Sequence, residues 1–135
     1  SERQRIPLQN RLGSSHPKLT QAVLLMEANI EEPLTTDEIA QHVCVSRRQL
    51  ERIFKQYLNR VPSQYYLELR LSKARQLLMQ TSKSIIQIGL SCGFSSEPHF
   101  SSAYRNFFGA TPRDDRNQRR SNSPFELTST SVERG

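Results

Sequence analysis

A chain of 135 residues can hold one domain of roughly 100 residues plus tails, or two very small subdomains that share helices. Its 19 Lys and Arg exceed its 13 Asp and Glu by a formal charge of +6, which favours a polyanion as partner. No run of about 18 apolar residues and no apolar leader segment is present, so no membrane span or signal peptide is read, and a cytoplasmic protein is expected.

The opening stretch SERQRIPLQNRLGSS starts without Met and is polar, so residues 1–16 read as a linker or flexible segment and the chain as a piece of a longer protein. After His16 and Pro17, the apolar rhythm of Leu19, Ala22, Val23, Met26 and Ile30 predicts a helix with one buried face that ends before Pro33. Thr35 with Glu38 forms a capping box that opens a short helix carrying Ile39, Ala40 and Val43. A tight connection at Cys44 and Val45 follows. Ser46 with Gln49 reads as another capping box, starting a helix with Leu50, Ile53, Phe54 and Tyr57 on its buried face.

Residues 62–81 read as a long connecting helix, with Tyr66, Leu67, Leu71, Ala74, Leu77 and Leu78 on helical spacing. Ser84 with Gln87 then caps a short helix bearing Ile85, Ile88 and Leu90, and Gly93 can take a left-handed conformation at its end. Ser95 or Ser96 caps the next helix, whose predicted buried face is Phe100, Ala103, Tyr104 and Phe107. Gly109 ends it, and Thr111 with Pro112 opens a last short helix. Beyond it, residues 119–135 are rich in Ser and Thr and read as a flexible tail. Cys44 and Cys92 lie among apolar residues without metal-ligand spacing, so both are expected as buried thiols rather than a disulfide or zinc site.

The same grammar is therefore written twice. SRRQLERIFKQYLNRVP, from Ser46 to Pro62, returns as SEPHFSSAYRNFFGATP, from Ser96 to Pro112, matching at Ser46/Ser96, Leu50/Phe100, Phe54/Tyr104, Lys55/Arg105, Tyr57/Phe107, Leu58/Phe108 and Pro62/Pro112. Charge marks the first copy: Lys18 alone faces five acidic residues from Pro17 to Val45, whereas five basic residues face only Glu51 from Ser46 to Arg60. A short helix, a sharp turn and a basic second helix are the pattern of a helix-turn-helix, about 36–58 and again about 84–108. At about 1.5 Å per residue the connecting stretch would span roughly 29 Å, near the ~34 Å of one DNA helical turn.

The residues LTTDEIAQHVCVSRRQLERIFKQYL, YYLELRLSKARQLL and IIQIGLSCGFSSEPHFSSAYRNFFGATPRDDR resemble the AraC/XylS-type transcriptional regulators, over about residues 17–118. HPKLTQAVLLMEANIEEPL with SRRQLER is similar to the branch that carries an N-terminal glutamine amidotransferase-like sensing domain and regulates arginine, or carnitine or betaine, catabolism. The resemblance implies an all-α fold of about seven helices, two helix-turn-helix subdomains on a long connecting helix. It implies a non-enzymatic activator without cofactor or metal, bound to double-stranded operator DNA through helices 46–58 and 96–108 in successive major grooves. RNA polymerase is a further candidate partner, and a missing sensing domain is expected to dimerise the full-length protein.

Carried over by position, Arg48, Glu51 and Arg52 fall on the exposed face of the first reading helix, with Arg47 facing bases or phosphate. Arg can donate two bonds to guanine and Glu can accept from cytosine N4. The bland alternative is a solvated face with a Glu51–Lys55 pair. The second helix departs from the pattern: Glu97, Pro98, His99 and Ser102 stand at the matching base-facing positions, where Ser102 is short and unselective. Ser46, Ser95, Ser96, Lys55, Arg105 and Arg113 are the phosphate candidates, with Arg116, Arg119 and Arg120 as weaker ones. Arg70 is expected to brace the two units. Gly89 stands where the family usually has Ala, which predicts a softer second unit.

Two rivals remain at this point. His16, His42 and His99 sit in unrelated contexts and no nucleophile or phosphate-loop motif occurs, which argues against an enzyme. A basic helical module that docks an acidic protein, without sequence-specific DNA binding, is the other alternative. The acidic residues Glu31, Glu32, Asp37 and Glu38 are expected to face away from DNA.

Overall fold

A computed structural model describes residues 16–121, which form seven helices and no strand. They are α1 (Pro17–Ala28), α2 (Thr36–His42), α3 (Arg47–Leu58), α4 (Pro62–Gln80), α5 (Ile85–Ser91), α6 (Glu97–Phe108) and α7 (Pro112–Ser121). The expected linker at 1–16 lies outside the described residues except for His16. Helix α7 runs past the expected start of the tail at 119, and the rest of that tail is likewise outside them.

The described chain divides into two units, with the boundary along the sequence between Leu69 and Arg70. In the first, α1 buries Leu19, Ala22, Val23 and Met26 against Ile39 and Ala40 of α2, Leu50, Ile53 and Phe54 of α3, and Tyr66 of α4. In the second, the later part of α4 buries Leu71, Ala74 and Leu78, alongside Ile88, Cys92, Phe94, Phe100 and Tyr104. The Leu-x-x-Ala-x-x-x-Met order of Leu19, Ala22 and Met26 thus returns as Leu71, Ala74 and Leu78, so the repeat includes the helix that precedes each helix-turn-helix.

The caps follow the local sequence. Thr35 with Glu38 and Ser84 with Gln87 both form reciprocal capping boxes. Ser46 makes only one arm of the expected box, accepting from the Gln49 N–H at 3.0 Å. The two turns share one bonding pattern: Val45 N–H donates to Ala40 C=O at 3.0 Å, and Phe94 N–H to Gly89 C=O at 2.9 Å. In each, the corner residue is left-handed, Cys44 at φ 63° and Gly93 at φ 89°. The second turn is then one residue longer. Ser95 is the extra residue and Ser96 the cap.

Cys44 corrects an expectation. It is exposed, because the left-handed corner turns its side chain out to solvent, while Cys92 is buried as expected. Phe107 is also a correction, at 42% exposed, and Leu90 stands 49% exposed. On α5 the inward position beside Ile88 belongs to Gly89, which hydropathy cannot flag. Tyr57, the counterpart of Phe107, is half-buried with the His16 ring 6.1 Å away edge-on. In the second unit α4 is continuous and brings no capping His to the matching place.

Gly89 is there for space. A Cβ at this position would lie 2.9 Å from Phe100 Cδ2 and 3.1 Å from Phe100 Cβ, closer than packed carbons approach. The first unit has Ala40 and Leu50 at the equivalent positions, both buried. The larger side chain on the reading helix is matched by the loss of a methyl on its partner. The softer second unit expected from helix propensity alone therefore leaves out a compensating contact.

Each unit is closed by a clamp at the fourth residue after its shared Pro. Tyr66 OH donates to Asn29 C=O and accepts from Leu34 N–H at 3.0 Å, fastening the loop between α1 and α2. Arg116 donates to Leu78 C=O at 3.1 Å, Thr81 C=O at 3.0 Å and Lys83 C=O at 2.6 Å, fastening the loop between α4 and α5. Arg116 is thereby a structural residue and not the weak phosphate candidate of the sequence reading.

Three measurements check this packing. Gly89→Ala is expected to destabilise the domain in urea by about 1 kcal/mol or more, the overpacking outweighing the gain in helix propensity. Adding Phe100→Leu should recover part of that loss, with non-additivity above about 0.5 kcal/mol. Arg116→Ala should cost roughly 2 kcal/mol or more through its unpaired carbonyls, with lost amide protection centred on the second unit. A thiol reagent should modify Cys44 in the native protein and Cys92 only after unfolding.

Candidate nucleic-acid interface

Helix α3 presents three cations on one face. Leu50, Ile53 and Phe54 are buried, and at about 100° per residue Arg48, Arg52 and Lys55 lie roughly 145–165° from the middle of that buried face. All three are exposed, and none of their side chains makes a hydrogen bond or ion pair among the described residues. The first turn of α3 holds Arg47 and Arg48 and no acidic residue, so positive charge sits at the positive end of the helix dipole. Arg47 is offset there by the carboxylates of Glu51 and Asp37, which leaves Arg48 as the uncompensated cation at that end.

Arg47 and Glu51 behave differently from the rest. Arg47 Nε lies 3.2 Å from Glu51 Oε2, and its Nη1 lies 3.6 Å from Asp37 Oδ2 on α2. Glu51 thus takes Arg47 as its i,i+4 partner, and the Glu51–Lys55 pair of the alternative reading does not form. Asp37, on α2, thereby stands beside α3. Ser46 is spent on the cap of α3, with its hydroxyl on Gln49 N–H.

Helix α6 offers a thinner set. Glu97 pairs loosely with Arg113, Oε2 to Nη2 3.8 Å, so a base candidate and a phosphate candidate are joined to each other. Pro98 is exposed at the second helical position, where its missing N–H has no helical partner to lose. His99 is exposed, with its ring edge-on to Phe94 at 5.3 Å between centroids. Ser96 caps the helix by accepting from the His99 N–H at 3.3 Å, and Ser95 is exposed in the turn. Ser102 is exposed, and Arg105 is exposed and without a partner among the described residues. These two border a shallow open depression with Ser101, Asn106 and Thr111.

Four supporting residues escaped the sequence reading or changed role. Arg70 donates to the carbonyls of Cys92 at 2.9 Å and Gly93 at 2.8 Å, with its guanidinium 4.4 Å above the Phe94 ring, so it holds the turn that aims α6. Arg75 lies 3.5 Å from Asp115, which also accepts from the Tyr104 hydroxyl. Tyr66 and Arg116 share an offset from Pro62 and Pro112, and that shared position in the repeat was the available signal. Among the described residues no group of His, Cys, Asp and Glu is arranged to hold a metal ion, and no helix is long and apolar enough to cross a membrane.

Comparison with known proteins places this geometry in a family. The helix-turn-helix domain family matches residues 39–118. The chain is 90% identical over 135 residues to the HTH-type transcriptional regulator ArgR of Pseudomonas aeruginosa, all of this chain against 41% of that regulator's length. It is 74% identical to a crystal structure of a transcriptional regulator of the AraC-type DNA-binding domain-containing proteins from Chromobacterium violaceum, with a TM-score of 0.74 over 79% of this chain and 96% of that one. The DNA-binding domain of AdpA, solved with a target DNA, shares the fold at 24% identity, with a TM-score of 0.76 over 81% of this chain and 98% of that one. By its sequence, its doubled helix-turn-helix and its likeness to these structures, the chain belongs to the AraC-type DNA-binding domains, a family of transcriptional regulators and not of enzymes.

Proposed function

We propose that this chain binds double-stranded operator DNA in a sequence-dependent way, with α3 and α6 as the helices that enter successive major grooves. The observation that carries the reading is the exposed face of α3, where Arg48, Arg52 and Lys55 stand without partners. Arg48 and Arg52 are suited to the paired acceptors of guanine, Glu51 to the cytosine amine, and Lys55 to a phosphate. Helix α6 brings Arg105 as the equivalent phosphate anchor but only Pro98, His99 and Ser102 toward bases. The first unit therefore sets most of the sequence preference, and the second adds position and modest selectivity.

The output of this binding is control of transcription, as the name of the 90% identical regulator supports. Regulation of arginine or related nitrogen-compound catabolism, as an activator that meets RNA polymerase, is the expectation that accompanies it. So are a nucleoid-bound cytoplasmic location and dimerisation of a full-length protein through a sensing domain. The chain spans 41% of that regulator's length, and these are readings of the whole protein.

Selection of bound sites from random duplexes, followed by salt titration on a selected and a scrambled duplex, tests the reading. The selected duplex should bind at least about 10³-fold more tightly, with log affinity falling steeply against log salt. Arg52→Ala should abolish preference within one half-site, and Lys55→Ala should lower affinity for all sequences and reduce the salt slope by about 1. Equal affinity for the selected and scrambled duplexes would overturn it.

A further inference from the structure

We infer that Arg47 is a specificity-positioning residue which aims the Glu51 carboxylate at a base, and is not itself a reader of bases or phosphate. This rests on the DNA-binding reading above and deepens it. Arg47 lies only roughly 65° from the middle of the buried face of α3, on the flank toward α2, whereas Arg48 and Arg52 stand near the centre of the exposed face. Its guanidinium is already engaged from two sides, by Glu51 Oε2 at 3.2 Å and by Asp37 Oδ2 at 3.6 Å. Asp37 is itself in the first turn of α2, where the helix dipole favours a carboxylate. The chain Asp37, Arg47, Glu51 therefore runs from the first turn of one helix of the first unit to a candidate reader on the other.

The geometry leaves the reading half of Glu51 free. Only Oε2 is held by Arg47, and Oε1 has no partner among the described residues. A carboxylate tied at one oxygen keeps few rotamers, and its other oxygen can accept from the exocyclic amine of cytosine. The neighbouring cation also softens the repulsion between Glu51 and the phosphates that flank the groove. In water these exposed contacts are weak; exclusion of water by bound DNA would strengthen them. The second unit lacks the device altogether. Ile86, Glu97 and Ser101 occupy the places of Asp37, Arg47 and Glu51, and Glu97 turns instead to Arg113. The two readers thus differ in how they are aimed as well as in what they present.

The test is a base-pair-by-base-pair affinity profile on the selected site for the wild-type domain, Glu51→Ala, Arg47→Ala, Asp37→Asn and the Glu51→Ala/Arg47→Ala pair. Arg47→Ala should reduce discrimination by roughly five-fold or more at the same base pair that Glu51→Ala relaxes. The double variant should lose little more at that pair than Glu51→Ala alone, and Asp37→Asn should produce a weaker form of the same change. Loss of preference at a different base pair would make Arg47 a direct reader and overturn the inference. So would uniform weakening with a salt slope lower by about 1, the mark of a phosphate contact. Helical content and urea midpoints of the variants separate either result from misfolding. Absence of any site preference in the wild-type domain would instead strike the DNA-binding reading itself.

Discussion

The position of each reading helix depends on how closely it can approach the short helix before it. In the second unit that approach is limited by Gly89 against Phe100, where even one methyl would lie within 2.9–3.1 Å of the ring and its Cβ. The first unit meets the same constraint with Ala40 and Leu50. The small residue has a second task, since its carbonyl accepts the bond that closes the turn, from Val45 in one unit and Phe94 in the other. Helix approach and turn geometry are therefore set at one position. Given that constraint, the second unit fills its core with rings: Phe94, Phe100, Tyr104 and Phe108 follow one another at centroid distances of 4.5–5.8 Å.

The closing clamps show the same requirement met by different chemistry. The loop after α1 presents one carbonyl and one N–H, which a phenol can satisfy because it both donates and accepts. The loop after α4 presents three carbonyls, including one from the last turn of the helix, and only a group with several donors can hold them. Arginine does so, and its charge suits the negative end of the α4 dipole. Tyr66 and Arg116 look unrelated as residue types. The backbone groups that each faces explain the difference.

The candidate site was legible in part. Arg48, Arg52 and Lys55 follow from helical spacing, because once Leu50, Ile53 and Phe54 are inside, these positions can only be outside. The position of Glu51 beside them follows from the same spacing, but its partner does not. Both Arg47 and Lys55 stand four residues from it, and spacing alone cannot choose between them. Asp37 decides in favour of Arg47 by approaching from α2, a residue ten positions away along the chain and adjacent only after the turn has formed. The same limit applies to Arg113, whose attachment to Glu97 joins two helices.

By itself, then, the sequence determined what a residue and its near neighbours can decide: the seven helices, most of their caps, the doubled helix-turn-helix, the charge switch at Ser46 and the exposed basic face of α3. These depend on backbone propensity, on hydrogen bonds across three or four residues, and on apolar periodicity, all of which are written locally. Tertiary structure alone decided the rest. It exposed Cys44 at a left-handed corner, buried Gly89 in place of Leu90, and turned Arg116 inward to carbonyls more than thirty positions earlier in the chain. It also tied Arg47 to Asp37 and Glu51. Each of these outcomes depends on a distance between elements, and no pattern along one helix contains it.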